Sequence, residues 1–163
     1  MKYQFKGIAG RWNVYDEKGN RAGTIRRCMG GKLEYQYEGK RQEFKIYRKA
    51  NQMWLEQDGE VFFSGNIRYP SDADGKPIAK SFFCPPMPEE LELERTGETW
   101  RLHQRPDRNI EIYYNGNRVG ILKGMVVGAK TLEWSGDEKL LDRGLLCFAL
   151  GVYMAEDDTV YAV

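Results

Sequence analysis

From Gly144 to Ala155 the chain runs for twelve residues without a charge: Gly-Leu-Leu-Cys-Phe-Ala-Leu-Gly-Val-Tyr-Met-Ala. A stretch that is apolar on every side suits a helix enclosed by protein rather than one lying on a surface. As a helix it would cover ~18 Å at 1.5 Å per residue, short of a hydrocarbon core of about 30 Å, so it does not read as a membrane span. Everything before it reads as short strands. A lone apolar helix at the end of an all-β chain predicts a sheet closed around it.

Turn signals recur every eight to twelve residues along the 163-residue chain, at Lys18-Gly19-Asn20, Gly30-Gly31, Glu38-Gly39, Asp58-Gly59, Thr96-Gly97, Asn115-Gly116-Asn117 and Ser135-Gly136. These residues tolerate positive φ and suit tight hairpins. Between them the side chains alternate. Leu33, Tyr35 and Tyr37 interleave with Lys32, Glu34, Gln36 and Glu38; Trp100 and Leu102 with Arg101 and His103; Ile110, Ile112 and Tyr114 with Glu111 and Tyr113. A period of two places one face in the core and one in water. About a dozen such segments predict a closed antiparallel barrel of about twelve strands around the C-terminal helix.

Tyr69 to Pro88 interrupts this rhythm with a run of prolines, Asp74-Gly75 and an Ile78 to Phe83 stretch that could form a strand. The length fits one domain, residues 1–163. Val14 to Ile25 is echoed by Ile112 to Leu122, both carrying Gly-Asn-Arg-x-Gly. The echo suggests two related halves, about 1–68 and 89–163. Ser135-Gly136-Asp137-Glu138 fits a capping box for the helix, Glu156-Asp157-Asp158 follow its end, and Thr159 to Val163 is expected to return as a strand.

The paired hairpins, the dozen strands and the helix Leu141-Asp142-Arg143-Gly144-Leu145-Leu146-Cys147-Phe148-Ala149-Leu150 leading to Glu156-Asp157-Asp158 resemble the tubby C-terminal-like superfamily, with the LURP-one-related proteins as its nearest branch. The resemblance implies a twelve-stranded barrel around a central C-terminal helix. Within that superfamily tubby proteins bind phosphoinositides and scramblases are calcium-dependent membrane proteins. This chain has no segment matching the scramblase membrane helix, cysteine-rich palmitoylation segment or calcium loop, and no position matches a family headgroup ligand.

Several chemistries are disfavoured by the residues themselves. Cys28, Cys84 and Cys147 are odd in number and lack CxxC spacing, so neither a disulfide framework nor a zinc site is expected, and a reducing cytoplasm is the simplest compartment. The N-terminus, Met1-Lys2-Tyr3-Gln4-Phe5, does not read as a signal peptide. His103 is the single histidine, is placed on a polar strand face, and has no Gly-x-Ser-x-Gly elbow to serve. Asp72-Ala-Asp74-Gly75 departs from EF-hand spacing, and neither a metal nor a cofactor is expected. Glu90, Glu92 and Glu94 read as a solvated acidic stripe. No glycine-rich loop leads into a helix that would cradle a phosphate.

A net charge of +1 argues against a globally basic nucleic-acid binder, but it conceals an asymmetry: residues 1–50 hold thirteen Lys and Arg against five acids, while residues 51–100 hold four against ten. Alternation directs Ile25, Phe44 and Ile46 inward and Arg26, Arg41, Lys45 and Lys49 outward. These four are the candidate ligand-binding residues, expected as one patch for a phosphorylated headgroup or other anion. Glu34, Glu38 and Glu43 lie among them and offer the competing reading of a neutralised surface. The chain therefore reads as a non-enzymatic cytoplasmic binding module, peripheral at a membrane where its ligand is a lipid. A protein-interaction scaffold is the alternative, and a carboxylate-dependent hydrolase the third reading.

Overall fold

The computed structural model describes residues 1–8, 10–70, 88–126 and 128–155. Twelve strands follow in order: β1 (Lys2–Ile8), β2 (Arg11–Tyr15), β3 (Arg21–Arg27), β4 (Lys32–Tyr37), β5 (Lys40–Lys49), β6 (Gln52–Gln57), β7 (Glu60–Arg68), β8 (Glu90–Arg95), β9 (Glu98–Gln104), β10 (Ile110–Tyr114), β11 (Asn117–Lys123) and β12 (Lys130–Trp134). One α-helix, α1 (Leu141–Ala155), closes the described chain. Each strand pairs antiparallel with its neighbours in sequence, and β1 pairs with β12, Tyr3 opposite Leu132, so the sheet closes on itself. Closure leaves no open sheet edge.

Even-numbered strands end, and α1 begins, at one end of the barrel, where the N-terminus also lies; odd-numbered strands and α1 end at the other. Alternation holds as the sequence suggests, with Val14, Ile25, Leu33, Phe44, Leu55, Leu91, Leu102, Ile112 and Leu132 all buried. They surround the helix, in which Leu141, Met154 and every residue from Gly144 to Val152 are buried. Phe148 stacks on Phe5, ring centroids 3.7 Å apart and planes within 4°, and meets the edge of Trp12 at 5.4 Å. Gly144 faces the Trp134 ring, where an added Cβ would stand 3.0 Å from Cζ3, so a side chain there would push the helix off β12.

The helix begins differently from the capping-box expectation. Ser135 and Gly136 spend their N–H groups on the Val119 carbonyl, at 2.8 and 3.1 Å. Asp137 is the cap, accepting the Lys139 N–H at 3.0 Å, and a 3₁₀ turn, Glu138–Leu140, precedes α1. The chain needs this extra turn to pass from the wall at β12 to the barrel axis. At the far end Arg108 donates to the Ala155 carbonyl at 3.4 Å, and Arg48 donates to Tyr153 and Tyr69 at 3.4 and 2.7 Å. Cations there complement the negative end of the helix dipole.

The two Gly-Asn-Arg-x-Gly segments are hairpins β2–β3 and β10–β11, and they share more than a turn. Each carries the same register shift: Val14 faces Gly23 while Tyr15 faces Arg21, and Ile112 faces Gly120 while Tyr113 faces Arg118. The final glycine of each motif is a packing requirement: a Cβ on Gly23 would collide with the Gln36 carbonyl, and one on Gly120 would stand 3.1 Å from the Trp134 ring. The two hairpins are eight strands apart in a barrel of twelve, and β6–β7 repeats the bulge midway, Leu55 facing Phe63 and Glu56 facing Val61. The recurrence has a period of four strands, and the middle copy was hidden because it replaces Gly-Asn-Arg-x-Gly by Gly59-Glu60-Val61-Phe62-Phe63. The Ile78 to Phe83 stretch, the Asp72–Asp74 turn, Cys84, Glu156 to Asp158 and the Thr159 to Val163 strand lie outside the described residues.

Candidate functional site

Arg11 opens β2 and Arg26 approaches the end of β3, both pointing outward because Trp12 and Ile25 beside them point into the core. The register sets Arg11 directly opposite Arg26, and Asn13 opposite Thr24. Like charges facing each other across a strand pair destabilise a sheet unless something offsets them. Among the described residues no carboxylate forms an ion pair with either arginine. Glu34, across from Arg26 on β4, is turned away to Lys32 at 3.2 Å and Arg41 at 3.1 Å. Among the described residues neither Arg11, Arg26 nor Arg21 forms an ion pair.

The three arginines line a cleft of about 330 Å³ with Trp12, Asn13, Thr24 and Ile25, and no carboxylate of the described residues contributes to it. Lys6, opposite Asn13 on β1, adds a fourth cation, its ammonium 5.2 Å above the Tyr15 ring. Three guanidinium forks with an amide and a hydroxyl between them can grip a phosphate or carboxylate through several charge-assisted hydrogen bonds. Three neighbouring turns at the adjoining end of the barrel expose apolar side chains. Ile8, Met29 and Val126 are 84%, 98% and 51% exposed, and they sit on or beside the β1–β2, β3–β4 and β11–β12 turns, neighbours around the rim.

The four expected ligand residues do not form one patch. Arg26 belongs to the cleft just described. Arg41 is paired with Glu34. Lys45 lies 5.0 Å from the Tyr47 ring in a groove of about 590 Å³ that Lys32 shares with three carboxylates, Glu43, Glu56 and Asp58. Lys49 stands at the far end of β5, eight residues and about 26 Å from Arg41, because a strand advances about 3.3 Å per residue. Facing one way is not the same as standing together. Lys32 bridges Glu43 and Glu34, at 2.8 and 3.2 Å; those hydrogen bonds raise its pKa, and the one from Lys32 lowers that of Glu34.

The acidic stripe also departs from expectation. Glu92 and Glu94 are exposed, but the Glu90 side chain is only 16% exposed. Its Oε1 lies 3.1 Å from both Arg68 and Arg101, with His103 Nδ1 at 3.4 Å but without hydrogen-bond geometry. Burial alone would raise the Glu90 pKa; the hydrogen bond and charge of Arg68, with Arg101 and His103, outweigh it and hold the carboxyl below its usual range. Arg101 stacks on Tyr113 at 4.2 Å, and Tyr113 donates to Glu111 at 2.7 Å. Around Glu90 and Glu111 this outer belt across β7–β11 is an ion-pair network.

A part-buried pair escaped the sequence reading. Arg143, 15% exposed in the first turn of α1, meets Glu98 of β9 at 2.9 Å, and Glu98 also accepts the Trp100 indole N–H at 2.8 Å. The Arg143 guanidinium lies 4.9 and 5.3 Å from the Phe62 and Phe63 rings. Only its place beside a core helix hinted at this. Among the described residues no three His, Cys, Asp or Glu side chains gather as a metal site, and no helix is long and apolar enough to cross a membrane. Comparisons with family models, with curated proteins and with solved structures find no match.

Proposed function

We propose that this chain is a non-enzymatic binding module that holds an anionic lipid headgroup in the Arg11–Arg21–Arg26 cleft. The observation that carries the reading is the Arg11–Arg26 cross-strand pair, like charges face to face with no carboxylate among the described residues of the cleft. An anion bridging them would relieve the repulsion. Ile8, Met29 and Val126 favour a lipid over a freely diffusing phosphate, since apolar tips beside cations suit the boundary between headgroups and acyl chains. The barrel with its central helix supports the resemblance to the tubby C-terminal-like superfamily, and peripheral association with a cytoplasmic membrane face follows from this reading.

Vesicle co-sedimentation tests it. Binding should rise with the phosphoinositide content of the vesicles and fall as salt screens the contacts over a Debye length of about 8 Å at physiological ionic strength. Arg11→Glu with Arg26→Glu should abolish it, while Arg41→Glu with Lys45→Glu should leave most of it intact. Absence of binding at low salt, or binding indifferent to the Arg11 and Arg26 reversals, would overturn the proposal and put the interaction scaffold first.

A further inference from the structure

On β5 to β8 the strand registers align the outward residues in two rows, Tyr47-Trp54-Ser64-Glu94 and Lys49-Gln52-Asn66-Glu92. A period of two should put polar side chains on this side of the wall, as Gln52, Ser64 and Asn66 are. Tyr47 and Trp54 break the rule. They stand directly opposite each other on the water side, half-buried, with ring centroids 5.7 Å apart and planes within 7°. Lys45 lies 5.0 Å from the Tyr47 ring, and Val61, 58% exposed on β7, extends the apolar area. Trp12, Trp100 and Trp134 are buried in the core, so Trp54 is the tryptophan that the fold leaves on the outside.

The charges around this aromatic pair are sorted by sign. Lys45 and Lys49 stand on β5 and Glu92 and Glu94 on β8, about 14 Å away at about 4.8 Å per strand. None of the four forms an ion pair among the described residues, although Arg41, Glu43, Arg68 and Glu90 on the neighbouring positions all do. A two-fold axis in the contact plane, parallel to the strands and between β6 and β7, exchanges β5 with β8 and β6 with β7. It sets Trp54 over Ser64 of a second copy, Gln52 over its Asn66, Tyr47 over its Glu94 and Lys49 over its Glu92. Large meets small, amide meets amide, and phenol or ammonium meets carboxylate. Such a face is complementary to itself, as a two-fold interface requires.

We infer that the outer face of β5 to β8 docks a second copy of this chain, in a two-fold dimer centred on Trp54 and Ser64. An aromatic centre inside a polar rim is the anatomy of a protein interface. An anionic membrane would be repelled by Glu92 and Glu94. Four strands of a convex wall are only about 19 Å across, so the contact falls short of the roughly 1,600 Å² of a standard interface. The dimer is therefore of the weak, transient class, with a dissociation constant on the order of 10⁻⁵ to 10⁻⁴ M. The arginine cleft on β2 and β3 lies outside this face, and the dimer does not depend on the headgroup proposal.

The test is sedimentation velocity of the intact chain from about 5 µM to about 1 mM, a range that brackets such a constant. Wild type should pass from monomer to dimer, and acrylamide quenching of tryptophan fluorescence should fall over the same range as Trp54 is covered. Trp54→Ala should weaken association at least tenfold, the size of an interface hot spot. Ser64→Arg, at an exposed position where an added side chain disturbs no core packing, should abolish it with Tm unchanged. Lys49→Glu and Glu92→Lys should each weaken association alone, while an equal mixture of the two variants should recover it, because the mixed pair restores both lysine-to-glutamate contacts. A monomer at about 1 mM, association indifferent to Ser64→Arg, or a mixture no stronger than either charge variant alone would each overturn the inference.

Discussion

Glu98→Ala should destabilise this barrel more than any outer ion pair would. The carboxylate is the partner of both the Arg143 guanidinium and the Trp100 indole N–H, at 2.9 and 2.8 Å, in a setting where the two charged side chains are 15% and 17% exposed. Removing one member of a buried pair costs about 3–5 kcal/mol, because the remaining charge is left desolvated. Residual exposure lets water reach the stranded guanidinium and moves the figure to the lower end, about 3 kcal/mol. For a domain of this size that corresponds to about 6–12 °C in Tm. Urea unfolding followed by tryptophan fluorescence would give the free energy, and a double-mutant cycle with Arg143→Met isolates the coupling. Replacing both partners by apolar residues, Glu98→Leu with Arg143→Met, should recover most of the loss, since Phe62 and Phe63 already flank the site. Glu98→Ala within about 0.5 kcal/mol of wild type, the level of an ordinary surface substitution, or strict additivity in the cycle, would refute the reasoning.

Other outcomes follow from the same geometry. Leu150→Asp places an unpaired carboxylate at a position with no solvent exposure and should prevent cooperative folding; a near-native melting curve would remove α1 from the core. A chain ended at Lys139 should be insoluble for the same reason, and soluble monomer in gel filtration would refute the central-helix packing. Because the folded pKa of Glu90 is depressed, its contribution is present above the unfolded pKa and is lost as pH falls through the folded value. Glu90→Gln should therefore flatten the fall of Tm into the acid range, and an unchanged profile would show that Arg68 and Arg101 do not act on it. Cys147 is fully enclosed and burial raises its thiol pKa, so mass mapping after alkylation should find it unmodified until the protein unfolds.

The architecture was legible because its signals are local. Turn chemistry at Asp58-Gly59 or Asn115-Gly116, with positive φ at all four residues, and a strict period of two between turns are properties of a few consecutive residues. A helix apolar on every side has one reasonable place in such a chain. Even the first glycine of the repeated motif carries its reason nearby, Gly19 and Gly116 at positive φ within their own hairpins. The capping box failed because the route from β12 to the barrel axis is a tertiary constraint that Ser135 and Glu138 do not record.

The site was legible only in part. Alternation alone determined that Arg26, Arg41, Lys45 and Lys49 face outward, since side-chain direction depends on position within a strand. Which charges meet depends on the register between strands and on distance along them, and these belong to the closed sheet. Register set Arg11 against Arg26, drew Glu34 to Lys32 and Arg41, and gathered Arg68, Arg101 and His103 around Glu90. Arg143 and Glu98 are forty-five residues apart and meet because the helix threads the barrel beside β9. The sequence by itself determined the strands, the buried helix and the face each side chain takes; the tertiary structure decided which charges are neutralised and which stand open, because Coulomb energy depends on separations that only closure of the sheet defines.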